Sequence, residues 1–186
     1  MSAERVESHL RNFWPDREQR LFSWDRGPIL QTLPNFRVCR VTPPTLESWA
    51  YVSVGASVVA MDATYTLEFL LLAPYEDARH VETLAMIAWH HAAGALDWGR
   101  IVNLGQPWLD DSACDHVLVS LPYPYGPEFE WCCPGDDEGK HIRFLWLLPI
   151  TAGEAKFAYA NGVEALEQLF DQHTINSVDP HRKPVA

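Results

Sequence analysis

The chain has 186 residues, 47% hydrophobic and 21% charged, the composition of one soluble globular domain with a real core, and short for two. Its formal net charge is −11 and no Lys/Arg cluster is longer than Arg182-Lys183, which disfavours DNA or RNA binding, since phosphates demand a basic stripe. The longest apolar stretches, such as residues 144–150, are far too short to span a bilayer.

The N-terminal MSAERVESHLRNFW lacks the apolar run of a signal peptide, so a cytoplasmic protein is expected, with Cys39, Cys114, Cys132 and Cys133 reduced. Within it, Val6, Leu10, Phe13 and Trp14 recur at helical spacing ahead of Pro15, predicting a helix over 3–14. Residues 15–34 are polar, carry Gly27-Pro28 and Pro34, and read as a connecting segment. Strands follow over 35–41, 49–54 and 64–72. In the second, Ala50, Val52 and Val54 alternate with Trp49, Tyr51 and Ser53; the third is almost continuously apolar, as suits a strand covered on both faces.

A long helix is expected over 78–98, from the stripe Val81, Leu84, Ala85, Ala88, Ala92, Ala95 and Leu96. Further strands are read at the IVNL after Gly99, Arg100, at 116–121, 128–133 and 141–148, the last two bracketing a turn. Thr151 and Glu154 have the spacing of a capping box, which opens a helix that Asn161-Gly162 closes with a left-handed cap. A final helix buries Val163, Leu166, Leu169 and Phe170 and turns Glu164, Glu167 and Asp171 to water. The order α-β-β-β-α-β-β-β-α-α predicts an α+β domain with a mostly antiparallel, mixed sheet flanked by helices, spanning residues 1–186.

Cys132-Cys133 with Asp136-Asp137-Glu138 and His141 has the residue types of a metal site but not the spacing. Neighbouring strand residues point to opposite faces, and structural zinc sites use cysteine pairs two to four residues apart. Pro134-Gly135 and Glu138-Gly139 instead fit a hairpin tip. His90 and His91 diverge by about 100° on a helix, whereas a shared metal requires i, i+3 or i+4 spacing. No nucleophile elbow, dinucleotide fingerprint or phosphate loop occurs, so no catalytic residue, metal or cofactor is assigned. A metal-assisted hydrolase using His90, His91 or the Cys132/Cys133 turn, and a dimerising regulatory domain, stand as alternatives to a binding protein.

The segment WGRIVNLGQPWLDD mixes Trp98 and Trp108 with Arg100, Asp110 and Asp111 among turn residues. That is the composition of a partner-binding loop; equally, both tryptophans could be buried and the loop merely connect.

Four collinear segments resemble the suppressor-of-fused family. HIRFLWLLPITAGEAKFAYANGVEALEQLF (141–170) is similar to its strand, Pro-Ile-Thr turn and two helices. WAYVSVGAS (49–57) is similar to its W-x-Y-[VI]-[ST]-x-G-x-S motif, 67–73 to its Glu-containing apolar strand, and 99–122 to its glycine, strand, proline and serine segment. Together these cover roughly residues 25–182. The resemblance implies a non-catalytic α+β protein-binding domain, of the short bacterial type that corresponds to the first lobe of the animal protein and acts in toxin immunity. The animal protein's transcription-factor site does not transfer: Arg100 stands where it has an acidic residue and Ala88 near its aromatic one. A protein partner, such as a basic toxin domain, is therefore expected, with no nucleic acid and no membrane; the oligomeric state is left open.

Overall fold

The computed structural model describes residues 2–43, 48–61, 63–94, 96–133 and 139–186. It begins with helix α1 (Ser2–Phe13), which buries Val6 and Leu10. Strand β1 (Gln19–Ser23), the short helix α2 (Ile29–Thr32) and strands β2 (Arg37–Val41) and β3 (Trp49–Val54) follow. A 3-10 turn at Ala56–Val58 leads to β4 (Tyr65–Ala73), α3 (Ala78–Gly94), β5 (Ile101–Asn103) and β6 (Cys114–Ser120). The chain continues through α4 (Pro127–Glu130), β7 (Trp131–Cys132), β8 (His141–Thr151), α5 (Ala152–Asn161) and α6 (Val163–His173).

The strands form one mixed sheet in the order β1-β2-β3-β4-β8-β6-β5, with β7 also paired to β8. Among the described strands only the central β4–β8 pair is parallel, with Tyr65 opposite His141 and Leu70 opposite Trp146. The sheet is thus two antiparallel halves joined back to back, as the uninterrupted runs of strands imply. Period-two alternation gives each strand two apolar faces. Leu67, Phe69 and Leu71 of β4 and Leu145 and Leu147 of β8 pack with Leu84, Ile87 and Ala88 of α3. Leu70, Leu72, Phe144, Trp146 and Leu148 pack on the opposite face with Leu10 of α1, Ala155 of α5, and Leu166 and Phe170 of α6. The fold is therefore a sheet between two helical layers.

Several expected boundaries shift for identifiable reasons. The segment expected to be connecting contains β1, an edge strand whose residues are all exposed or half-buried; with no buried face it has no apolar alternation to read. The described helix ends at Gly94, short of the expected residue 98, and Ala95 lies outside the described residues; Leu96 stays buried, its N–H donating to His91 Nδ1 at 2.9 Å rather than to a helical carbonyl. Only Trp131 and Cys132 of the expected strand over 128–133 are extended. Gly126, at φ 71°, and Pro127 in the first helical position turn the preceding residues into α4. Gly162 closes α5 with φ 95° and ψ 154°, outside the left-handed helical region, and opens α6 directly.

Candidate functional site

The structure divides the five residues expected to form a partner-binding surface. Trp98 is 38% exposed and, with Gly99, lies against the first turn of α6, around Gly162, Val163 and Glu164. Arg100 is exposed beside it, just ahead of the edge strand β5. Trp108, however, is 2% exposed and belongs to the core beneath α3, so it cannot contribute to a binding face. Asp110 is exposed and paired with Arg79 at 2.7 Å, near the start of α3, and Asp111 is an exposed residue with φ 61°.

The residues considered for a metal separate as their spacing implies. His91 is buried and accepts from Leu96, while His90 is exposed. Burial lowers the His91 imidazole to about 4, which keeps it neutral. Cys132 is buried on β7 and Cys133 exposed, and the arms of their hairpin pair antiparallel, with Trp131 opposite Arg143 and Cys132 opposite Ile142. The tip, Pro134 to Glu138, lies outside the described residues. Among the described residues no three His, Cys, Asp or Glu side chains gather as metal ligands.

Three acidic residues hold positions that composition did not reveal. Glu68, inside the apolar run of β4, is fully buried. Its carboxylate accepts from the backbone N–H of Gly55 (2.9 Å), Ala56 (3.2 Å) and Ser57 (3.0 Å), and from the Ser53 hydroxyl. Ser53 in turn accepts from Phe69 N–H at 2.8 Å, and the Ser57 hydroxyl bonds that of Ser2, tying α1 to the turn. Burial pushes the Glu68 carboxyl above its ordinary value, while the donors from Ser53, Ser57 and Gly55 oppose the shift. The Ser-x-Gly-x-Ser spacing is explained by this cage. Gly55, at φ 115°, lets its own amide and the two that follow converge, and the backbone of Asn35 and Phe36 lies 3.5 Å from where a Cβ would stand.

Glu154 is the second. The capping box forms as its spacing predicts: Thr151 Oγ1 accepts from Glu154 N–H, and Glu154 accepts from Thr151 N–H at 2.9 Å. The same carboxylate also accepts two bonds of 2.6 Å from the Arg182 guanidinium and one of 3.1 Å from Val185 N–H. Arg182 donates further to Pro149 O and stacks over Phe170 at 5.3 Å. Burial alone would raise the Glu154 carboxyl, but Arg182 and the Thr151 and Val185 amides hold it below its ordinary value. The C-terminal segment is thereby strapped over the start of α5, where Gly153 leaves room for the backbone of Ala186.

Glu167 is the third, and it corrects the expectation that it faces water. It is half-buried on α6 and accepts from the Ser120 hydroxyl of β6 at 2.5 Å and from Tyr123 at 3.4 Å. It lines a cleft of about 680 Å3 between α6, the end of β6 and the middle of β8, floored by Ser120, Trp146 and Leu148. Burial pushes its carboxyl up; the two hydroxyls oppose this, and Asp171 and Glu164 reinforce it.

Comparison with known proteins agrees with this architecture. No curated protein sequence matches the chain at a significant level. A suppressor-of-fused homologue from Neisseria gonorrhoeae is 37% identical with a TM-score of 0.87, covering 100% of this chain and 97% of that one. The fold is shared more distantly, at 13% identity, by the Sufu–Fu complex (TM-score 0.67; 92% of this chain, 84% of that one). It is also shared, at 13% identity, by Drosophila Suppressor of Fused (TM-score 0.66; 99% of this chain, 51% of that one). The model of the suppressor of fused protein family matches residues 33–183, and the chain belongs to that family.

Proposed function

We propose that the chain is a non-catalytic protein-binding domain, an immunity-type protein of the reducing cytoplasm that neutralises a basic toxin domain by covering its active site. The observation that carries this reading is the full-length likeness to a bacterial suppressor-of-fused homologue, in a family that includes a chain solved in complex with another protein. A net charge of −11 favours a basic partner, steering encounter through complementary fields. The deeply buried titratable groups support it too. Glu68 and Glu154 are each consumed by bonds that hold the fold, and burial raises the Cys39 thiol to about 11, far from a reactive thiolate.

The test is to express the chain with the products of genes adjoining its own. A 1:1 complex with a neighbouring gene product, and rescue of growth from that product's toxicity, are the expected results. Absence of binding and of rescue for every adjoining product would overturn the reading.

A further inference from the structure

We propose that the cleft beside α6 is a docking site for an arginine-bearing segment of a protein partner. The inference rests on the protein-binding reading and gives that reading a place on the surface. One wall is acidic, since Glu164, Glu167 and Asp171 follow one another at i, i+3 and i+7 along α6. None of the described residues lining the cleft is Lys or Arg. The nearby cation of Arg182, stacked over Phe170, is already spent on Glu154. Three carboxylates on one wall without a cation are an electrostatic vacancy, and a guanidinium is the group that fills it with paired hydrogen bonds.

The rest of the cleft selects a peptide over a free cation. Leu148, Phe170 and Ile175 make an apolar wall that a small hydrophilic ion would leave wet, while a peptide's aliphatic stems would cover it. Trp146, 6% exposed on the floor, carries a buried indole N–H with no acceptor among the described residues, so its resonance is a sensitive reporter of anything that enters the cleft. A second copy of the chain is disfavoured, because each copy carries a net charge of −11.

The probe is acetyl-Ala-Leu-Arg-Leu-Ala-amide, titrated into 15N-labelled full-length chain, with the citrulline peptide and agmatine as comparisons. The Trp146 indole resonance is assigned through Trp146→Phe. The expected result is a saturable shift of that resonance by the arginine peptide. Affinity should fall by about tenfold or more with citrulline, and similarly in Glu167→Gln, since a charge-assisted pair is lost in each. No shift, or equal binding of the citrulline peptide, would overturn the proposal. Agmatine binding as tightly as the peptide would assign the cleft to a small cation instead, and a shift that tracks protein concentration without peptide would assign it to a second copy. If a toxin partner binds Glu167→Gln as tightly as the natural chain, this site fails while the protein-binding function stands.

Discussion

Glu68 and Glu167 are both acids on the sheet's α1/α6 side, and the difference between them separates what folds the chain from what the chain can do. Glu68 is sealed, and four donors converge on its two oxygens, three of them backbone amides that a tight turn presents at once. Its acceptor capacity is filled from within the fold, much as a helix N-terminus is capped. Glu167 receives only two hydroxyls and shares its helix face with Glu164 and Asp171, so its neighbours raise the cost of its charge rather than answering it. One carboxylate is a structural part; the other is held ready for something outside. Glu154 shows a third arrangement, in which a buried acid is neutralised by an arginine of the same chain.

The comparison can be broken most forcefully at Glu154. Arg182→Met leaves a buried carboxylate without its cation, and urea denaturation should show a loss of about 3–5 kcal/mol. Because the folded Glu154 carboxyl is held below its ordinary value, its contribution is full above the ordinary carboxylate pKa and fades as pH falls through the lowered folded value. The Arg182→Met penalty should therefore shrink in acid.

His91→Ala comes next. It strands the Leu96 amide and removes a buried ring, for an expected loss of about 2–4 kcal/mol. The folded imidazole titrates at about 4 and the unfolded one near its ordinary 6.5, so the unfolded state takes up the proton first. Stability in the natural chain should decline as pH falls from 6.5 to about 4, and equilibrium unfolding across that range should show a shallower decline in His91→Ala.

Glu68→Gln exchanges an acceptor oxygen for a donor facing the Ala56 amide and the Ser53 hydroxyl. Its folded carboxyl also titrates above its ordinary value, so losing the charge offsets part of this. Four donors against the two at Glu167 make the lost bonding the larger effect, a cost of about 1–3 kcal/mol at neutral pH by urea denaturation. Glu167→Gln should have the smallest effect on folding. It keeps an oxygen for Ser120 and removes a charge whose folded carboxyl titrates above its ordinary value, so stability at pH 7 should be unchanged or up to about 1 kcal/mol higher.

How much of this was legible follows the distance between partners. The Thr151–Glu154 cap could be read because both members lie within three residues, and the apolar runs of β4 and β8 marked a covered sheet. Glu68 stood in plain view inside LEFLLLA, yet its donors lie 11–15 residues upstream, beyond any local pattern. A lone acid in an apolar strand demands donors, and the Ser53-x-Gly55-x-Ser57 turn was the place to look for them. Glu167 read as a water-facing residue because it shares a helical stripe with Glu164 and Asp171; its partner Ser120 is 47 residues away. Trp98 and Trp108 lie ten residues apart on either side of β5, but one is exposed and the other core, a difference set by packing under α3 that no spacing encodes. Edge strand β1 left no trace because it buries no face.

The division between a folding carboxylate and a binding one is tested most directly by calorimetric melting of the natural chain, Glu68→Gln and Glu167→Gln side by side at neutral pH. Glu68→Gln should melt roughly 3–10 °C lower, from about 1–3 kcal/mol at this chain length, while Glu167→Gln should melt at or above the natural temperature. A Glu167→Gln chain that melts as low as Glu68→Gln would make Glu167 one more structural acid and contradict the account.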